Sequence, residues 1–398
     1  MSKGPELKPL CDSAPVPDDQ RPAGQTDEFK VTPWEVTGRV DYERLVKEFG
    51  TQRLTSDVIA RLSRGGEPHW MLRRDIFYSH RDLDILLAQA EKGRKWFLYT
   101  GRGPSGDIHV GHLLPWVFTK WLQEIWGAKL YFQITDDEKF LFKDDLTLRE
   151  AHRLARENML DIIACGFDPK LTKFIWDTRD IKKLYPLALE VEKRITYSTA
   201  KSTFGFNDSM NIGQIRYTAL QSVPCFLPSE LEGERMNCLI PAGIDQDPHF
   251  RLTRDIAEKL GYPKPSQIHN KLMPALTGPN EKMSASSPYS TISLNDDEAT
   301  VKKKAMAAFT GGRATVEEQR RLGADPDVCS AFAFYKFMFV QEDKTLDKIE
   351  MECRGGKIMC GECKQTHLAP RLIDYVREHQ ERREKAKERF EEFLLPDD

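Results

Sequence analysis

The chain has 398 residues, 59 of them basic and 62 acidic, which leaves a formal charge of −3 at pH 7. This length allows two or three domains, and the near balance of charge excludes binding to nucleic acid or membranes through overall charge alone. No stretch approaches the roughly 20 apolar residues of a membrane-spanning helix. The eight cysteines are scattered, so we expect a soluble enzyme in a reducing compartment, the cytoplasm, with no membrane partner.

The N-terminal part of the chain carries few signals of regular structure. Residues 1–28 hold five prolines and almost no periodic apolar residues, so we expect a disordered tail there. Residues 29–95 are predicted to form an edge hairpin at KVTPWEV, followed by one or two amphipathic helices within 42–64.

Strands and helices then alternate between residues 96 and 290. The spacing of apolar residues predicts strands at 96–100, 129–135, 174–176 and 236–240, and helices at 110–126, 146–165 and 248–260. This alternation predicts an α/β fold, a doubly wound parallel sheet with helices on both faces.

Strand signals disappear after Asp296, and the remaining patterns have helical spacing. Helices are predicted at 299–309, 316–322, 329–339, 346–354 and 361–393. We therefore expect residues 291–398 to form a second, all-helical domain.

Three glycines follow the first strand of the α/β part. Gly101, Gly103 and Gly106 spell G-x-G-x-x-G in LYTGRGPSGDIHVGHLL, the fingerprint of NAD-binding oxidoreductases. Pro104 interrupts the pattern, and the helical periodicity begins only at Val110. The NAD-dependent oxidoreductase is therefore kept only as an alternative.

Two histidines follow at the start of the predicted helix. His109 and His112 lie three residues apart on the first turn, where both imidazoles point the same way beside backbone N–H groups that favour an anion. Gly111 between them has no side chain and leaves room for a flat ring. This arrangement suits a purine nucleoside triphosphate.

A lysine-bearing loop lies about 170 residues further on. The sequence Lys282-Met283-Ser284-Ala285-Ser286 stands in a stretch rich in Gly, Pro, Asn and Ser. Such a loop can close over phosphates while negative charge moves onto leaving pyrophosphate. HVGH and KMSAS together therefore predict nucleotide chemistry.

With these two motifs the sequence resembles the class I aminoacyl-tRNA synthetases, HVGH standing for the HIGH motif and KMSAS for the KMSKS motif. More narrowly, it is similar to the eukaryotic-type tryptophanyl-tRNA synthetases. The segments that carry this resemblance are YTGRGPSGDIHVGH (99–112), QITDDEK (133–139), IACGFD (163–168), AGIDQDPHFRLTRD (242–255), GYPKP (261–265), EKMSAS (281–286) and FTGGR (309–313).

The resemblance implies a Rossmann-like catalytic domain at 96–290 and a helical anticodon-binding domain at 291–398. It further implies ATP as a substrate accompanied by Mg²⁺, L-tryptophan and tRNA(Trp) as partners, and a homodimer. A tyrosyl-tRNA synthetase and a non-catalytic paralogue that binds tRNA or a signalling partner are the alternatives.

The resemblance also implies roles for individual residues. Catalysis falls to His109, His112 and Lys282. The ATP-binding set is Arg102, Gly103, His109, Gly111, His112, Gly243, Asp245, Lys282, Met283 and Ser284. Tyr99 and Gln133 meet the indole N–H, while Glu138, Gln221 and Gln246 surround the amino and carboxylate groups of tryptophan. Ala285 replaces the second lysine of KMSKS, so Lys282 carries more of the phosphate charge.

Two clusters in the helical part have ordinary and functional interpretations. Contact with tRNA is one interpretation of the basic residues Lys302, Lys303, Lys304 and Arg313, and a solvated helix face is the other. Cys353, Cys360, Cys363 and His367 could be a zinc set. Because Cys360 and Cys363 fall at helical spacing, we expect no metal there.

Overall fold

The computed structural model describes residues 30–31, 36–37, 40–283, 287 and 289–397. The strands are β1 Lys30–Val31, β2 Val36–Thr37, β3 Gln52–Arg53, β4 Phe77–Arg81, β5 Trp96–Arg102, β6 Lys129–Ile134, β7 Thr172–Trp176, β8 Asn237–Gly243, β9 Ser266–Asn270, β10 Pro274–Ala275 and β11 Gly278–Lys282. The predicted tail, residues 1–28, lies outside the described residues.

The helices divide between the α/β part and the C-terminal part. The α/β part has α1 Tyr42–Phe49, α2 Ser56–Leu62, α3 Trp70–Arg73, α4 Leu83–Ala90, α5 Val110–Trp126, α6 Asp136–Phe142, α7 Leu148–Ala164, α8 Ile181–Glu192, α9 Tyr197–Phe204, α10 Ile212–Leu220, α11 Leu227–Glu232 and α12 Asp247–Ala257. The C-terminal part has α13 Glu298–Ala307, α14 Val316–Leu322, α15 Ser330–Phe334, α16 Asp343–Arg354, α17 Cys360–Cys363 and α18 Ala369–Ala386.

Seven strands form one sheet in the order β3-β4-β9-β8-β5-β6-β7. The pairs from β9 through β8, β5 and β6 to β7 are all parallel, and β4 alone runs antiparallel to its neighbours. The strand order reverses at β5, which lies between β8 and β6. In open α/β sheets a crevice for ligands forms at the carboxyl ends of the strands beside such a reversal.

Helices cover both faces of this sheet. Along β5, Leu98 packs into an apolar cluster with α5 and α7, whereas Phe97 and Tyr99 pack into another with α8 and α12. Alternation of side chains along a strand sends neighbouring residues to opposite faces. The predicted doubly wound α/β fold is thereby confirmed.

Helix α5 has the bounds that the periodicity predicts. It ends at Trp126 because Gly127 adopts a left-handed conformation, with a φ of 60°, which costs glycine little. The opposite end begins after His109, whose extended backbone precedes the first turn. This end places the HVGH motif at the crevice.

The polar strands β4 and β9 were not predicted from the sequence. They read FYSHR and SQIHN, yet they are almost wholly buried. Their polar groups pair with one another, as where Ser79 Oγ lies 3.1 Å from His269 Nδ1. Since this pairing satisfies the polar groups inside the sheet, the strands lack the apolar pattern that identifies buried strands. The region 42–64, predicted to form one or two helices, contains the two helices α1 and α2, with the short strand β3 between them.

After Asp296 the described chain is helical, as predicted. The predicted helix 361–393 is in fact a succession, with a π-helical turn at Lys364–Leu368 before α18 and a 3₁₀ segment after it. One apolar cluster continues from the sheet into Phe332, Leu372 and Val376. Among the described residues, no helix is long and apolar enough to cross a membrane.

Candidate active site

A cavity of about 490 Å³ opens at the carboxyl ends of the central strands. The predicted ATP and tryptophan residues whose side chains are described all line it, namely Tyr99, Arg102, Gly103, His109, Gly111, His112, Gln133, Glu138, Gln221, Gly243, Asp245, Gln246 and Met283. The side chain of Lys282 and the whole of Ser284 lie outside the described residues. One cavity therefore unites residues predicted from segments far apart in the chain.

The two predicted motifs meet at the start of α5. The backbone N–H of Val110 donates to the carbonyl of Ile292 at 3.0 Å, which ties the helix start to the segment after the KMSAS loop. A Cβ on Gly111 would lie 2.7 Å from Met283 Sδ, closer than carbon and sulfur can approach. Met283 thus occupies the space beside Gly111, and a side chain at position 111 would displace it.

The two histidines stack on one another. Their ring centroids are 3.6 Å apart with an interplanar angle of 30°, and the His109 backbone N–H donates to His112 Nδ1 at 3.2 Å. This backbone contact fixes the His112 ring and leaves its Nε2 directed at Arg102, 2.9 Å from Nη1.

Arg102 is a cation with neutral partners. Its Nε donates to Asn158 Oδ1 at 3.0 Å, and the amide of Asn158 donates to the carbonyl of Gly106, also at 3.0 Å. Burial lowers the pKa of Arg102 to about 10, and the charges of Glu138 and Asp161 offset this only in part. Among the described residues no carboxylate forms an ion pair with it, so an anion entering the cavity would find an uncompensated cation.

The His112 ring shows why an anion fits between these groups. Both of its nitrogens face an N–H group, yet a neutral imidazole accepts a hydrogen bond at only one nitrogen. If a phosphate oxygen took the Arg102 N–H, His112 Nε2 could carry its proton and donate to the same phosphate. The geometry thus favours a triphosphate at this end of the cavity.

Behind the other end of the cavity lies a buried polar chain. The hydroxyl of Tyr99 donates to Gln133 Oε1 at 2.5 Å, and Gln133 Nε2 donates to Asp177 at 2.8 Å. Burial and the charge of Asp137 raise the pKa of Asp177 well above its usual range. Sequence reasoning missed Asp177, which directly follows β7.

Glu138 supplies a negative charge inside the cavity. It accepts hydrogen bonds from Thr135 Oγ1 and Lys139 Nζ, each at 2.6 Å. Burial raises its pKa, but the charge of Lys139 and these hydrogen bonds outweigh burial, so the pKa is lowered. A carboxylate that stays ionised at neutral pH can bind an ammonium group.

Lys139 and His249 were not predicted as site residues although both line the cavity. Burial lowers the pKa of His249 to about 4, so the ring is neutral at physiological pH. A Cβ on Gly103 would overlap Lys139 and lie 2.8 Å from Glu138 Oε2. A side chain at position 103 would therefore displace this ion pair, a consequence that the glycine fingerprint alone does not give.

The fingerprint itself does not form a dinucleotide site. β5 continues through Gly101 to Arg102, and α5 begins only at Val110. The dinucleotide motif needs the helix to begin at its glycines so that the helix N-terminus faces the pyrophosphate. Here three residues, 107–109, separate the last glycine from α5.

The remaining cavity residues come from β8 and the helices beside it. Gln246 Nε2 donates to Asp245 Oδ2 at 3.2 Å, and a Cβ on Gly243 would overlap the Asp245 carboxylate. Gln221 ends α10. The hydroxyl of Tyr217 is buried and has no hydrogen-bond partner among the described residues.

The predicted basic cluster lies apart from the cavity. Lys302, Lys303 and Arg313 are exposed, whereas Lys304 is buried and pairs with Asp296 at 2.6 Å. Lys304 is therefore committed to an ion pair within the helical part.

The cysteine cluster differs from the zinc set that the spacing suggested. Cys353, Cys360 and Cys363 line a small cavity together with Cys329, and His367 is not among its lining residues. Within the described ranges, no three His, Cys, Asp or Glu side chains are arranged to hold a metal ion.

Comparison with known proteins agrees with this geometry. Residues 91–369 match the model of the family "tRNA synthetases class I (W and Y)". The chain is 52% identical over 370 residues to the tryptophan–tRNA ligase of Pyrobaculum aerophilum, covering 93% of this chain and 98% of that protein. It is 50% identical over 374 residues to that of Sulfolobus acidocaldarius, with coverage of 93% and 96%.

A solved structure is similar as well. The tryptophanyl-tRNA synthetase of Plasmodium falciparum superposes with a TM-score of 0.83 at 37% identity, covering 89% of this chain and 97% of that one. The two tryptophan–tRNA ligases compared by sequence come from archaea, so the narrower prediction of a eukaryotic-type enzyme stays a prediction. The chain belongs to the tryptophanyl-tRNA synthetase family of class I tRNA synthetases.

Proposed function

We propose that this protein activates L-tryptophan with ATP and transfers it to the 3′ end of tRNA(Trp). The observation that carries the proposal is that one cavity joins a cationic end at Arg102 and His112 to an end backed by the buried Tyr99–Gln133 pair. The first end suits phosphates, and the second suits a large ring with one N–H donor.

In the first step the tryptophan carboxylate attacks the α-phosphorus of ATP, and the bond from that phosphorus to the pyrophosphate oxygen breaks. Charge then grows on the leaving pyrophosphate, which Arg102, His109, His112 and Lys282 stabilise. Since no covalent enzyme intermediate forms, positioning and charge stabilisation supply the rate. Asp245 and Gly243 face the ribose.

The amino acid is held from two sides. The indole N–H donates to the Tyr99–Gln133 pair, and Glu138, Gln221 and Gln246 surround the α-ammonium and carboxylate. The lowered pKa of Glu138 supports this role because an ammonium group needs an ionised partner. In the second step a terminal hydroxyl of tRNA attacks the acyl carbon, and AMP leaves.

Mg²⁺ is expected to arrive with ATP. The described cavity has no cage of carboxylates for a metal ion, and magnesium commonly binds through substrate phosphates and water with few protein ligands. When bound, it would neutralise phosphate charge. The chain's own part would be to hold the phosphates at Arg102, His112 and Lys282.

Exposed residues support two further parts of the proposal, the homodimer and the contact with tRNA. Tyr185 and Leu189 of α8, Tyr197 of α9 and Ile212 of α10 are exposed large apolar residues, which supports a homodimer. Exposed Lys302, Lys303 and Arg313 support contact with the tRNA phosphates. Activity in protein synthesis supports a cytoplasmic location.

A tyrosyl enzyme would use the same chemistry, but the position of Asp177 argues against it. A site for a phenol commonly presents a buried carboxylate to the ligand hydroxyl. Asp177 is not among the cavity-lining residues, because Gln133 stands between it and Tyr99. The cavity therefore presents an amide and a hydroxyl to the ligand.

The test is amino-acid-dependent exchange of labelled pyrophosphate into ATP. We expect exchange with tryptophan and little with tyrosine, followed by charging of tRNA(Trp). Exchange with tyrosine alone would overturn the substrate, and no exchange with either would favour the non-catalytic alternative.

A further inference from the structure

Tyr99, Gln133 and Asp177 form a continuous hydrogen-bonded chain that is closed to solvent. The first two are joined at 2.5 Å, and Gln133 Nε2 lies 2.8 and 3.0 Å from the two carboxyl oxygens of Asp177. The side chain of Tyr99 is 1% exposed, and those of Gln133 and Asp177 are fully buried. Asp177 lies behind the cavity lining and is wholly buried, so water does not replace a lost partner at this end, and the geometry of the chain is strongly determined.

The chain has a direction that Asp177 sets. The accepting oxygen of Asp177 needs a donor, so the NH₂ group of the Gln133 amide faces Asp177. The amide oxygen, Oε1, then faces Tyr99. The Tyr99 proton is then committed to Gln133, and its oxygen has lone pairs left for another donor. If the amide turned over, Nε2 would donate to Tyr99, and the Tyr99 hydroxyl would offer its own proton instead.

Asp137 completes the chain behind Asp177. The two carboxyl groups are hydrogen-bonded to each other, and burial raises the pKa of Asp137 to about 6 and also raises the pKa of Asp177. A hydrogen bond between two carboxyl groups requires a proton on one of them, so Asp137 and Asp177 share a proton. The remaining oxygen of Asp177 accepts from Gln133, as the short Nε2 contact requires.

We propose that Asp177 is a positioning residue that makes the ring site accept a donor N–H, and so selects an indole over a ring of the same shape without that donor. This proposal rests on the proposed function, in which Tyr99 and Gln133 meet the indole. Asp177 acts through Gln133 and does not touch the substrate.

The experiment compares tryptophan with β-(3-benzothienyl)alanine, whose ring has sulfur in place of the indole N–H. Pyrophosphate exchange gives kcat and KM for each amino acid in the wild type and two variants. Asp177→Leu removes the acceptor for Gln133, and the preference for tryptophan should fall about tenfold or more, mainly through a higher KM for tryptophan.

Asp177→Asn is the conservative partner of that variant. Its side chain can accept from Gln133 with its carbonyl oxygen and donate to Asp137 with its NH₂ group, so the preference should stay within about threefold of the wild type. Asp180→Leu is the matched control, since Asp180 is also buried in this loop but accepts from Trp176 and Arg179 rather than from Gln133. It should alter stability and leave the preference unchanged.

The outcomes separate the possible failures. An unchanged preference in Asp177→Leu, or an equal loss in Asp177→Asn, would overturn the role of Asp177. An equal loss in Asp180→Leu would show that the effect comes from general damage to the loop. A wild type that does not exchange pyrophosphate with tryptophan would instead overturn the proposed function.

Discussion

Replacement of Asn158 by aspartate tests whether Arg102 is held as a free cation for ATP. Asn158 accepts from Arg102 Nε at 3.0 Å and donates to the carbonyl of Gly106. Asn158→Asp keeps the shape and the first contact, but it puts a negative charge beside the guanidinium and an acceptor against the Gly106 carbonyl. ATP would then compete with a built-in anion.

The size of the effect follows from Coulomb's law. Two unit charges 4 Å apart attract by about 4 kcal/mol at an effective dielectric constant of about 20. If half of that attraction opposes the triphosphate, ATP loses about 2 kcal/mol, or about 30-fold in affinity. The lost hydrogen bond to Gly106 adds up to about 1 kcal/mol, so we expect the KM for ATP to rise about 30- to 150-fold.

Pyrophosphate exchange at saturating tryptophan, with ATP varied, measures this change. The KM for tryptophan should stay within about threefold, because Asn158 contacts the phosphate end only. Asn158→Leu removes both hydrogen bonds without adding charge, and its effect should be clearly smaller. An unchanged KM for ATP in Asn158→Asp, or an equal rise in both variants, would refute the reasoning.

Three further predictions concern catalysis, pH and tRNA. Lys282→Ala and His112→Ala should each lower the adenylation rate strongly while circular dichroism stays unchanged; an undiminished rate would remove the residue from the site. Burial holds the pKa of both His249 and His269 at about 4 in the folded protein, below the ordinary 6.5. The unfolded chain therefore takes up protons first as pH falls, so urea unfolding should show stability that is full above pH 6.5 and declines toward pH 4, and His269→Gln should reduce the decline. Arg313→Glu should raise the KM for tRNA and weaken the salt dependence of that KM, while pyrophosphate exchange stays unchanged. A change in pyrophosphate exchange would show that Arg313 does not act on tRNA alone.

Much of the fold could be predicted because local periodicity and global packing agree. Helix α5 shows the apolar spacing of a buried helix and the glycine that ends it, and its observed bounds match the predicted ones. The strands β5 and β6 are apolar runs of ordinary length between turn signals. Where the local pattern and the packing of the fold require the same residue types, the sequence alone predicts the element.

Part of the candidate site could be predicted because its residues lie close together in the sequence. His109, Gly111 and His112 touch one another or the ligand space within four residues of sequence, so their chemistry is visible as a motif. Lys139 and His249 line the same cavity, but the segments that contain them, QITDDEK and AGIDQDPHFRLTRD, indicated no role for either residue. The effect of Lys139 depends on its distance from Glu138 in the folded structure: the charge of Lys139 lowers the pKa of Glu138, whereas burial raises it.

The supporting residues were missed because their partners are distant in the chain. Asn158 lies 56 positions from Arg102, and Asp177 lies 44 positions from Gln133. Each nevertheless left a trace, because Asn158 begins the continuous buried stretch of α7 and Asp177 directly follows the apolar run of β7. A buried amide or carboxyl group must find a hydrogen-bond partner, and in a helix that faces the crevice that partner is often a group of the active site. Polar residues at the ends of buried runs are therefore the positions at which a sequence predicts the residues that orient a site, even where it cannot name the partner.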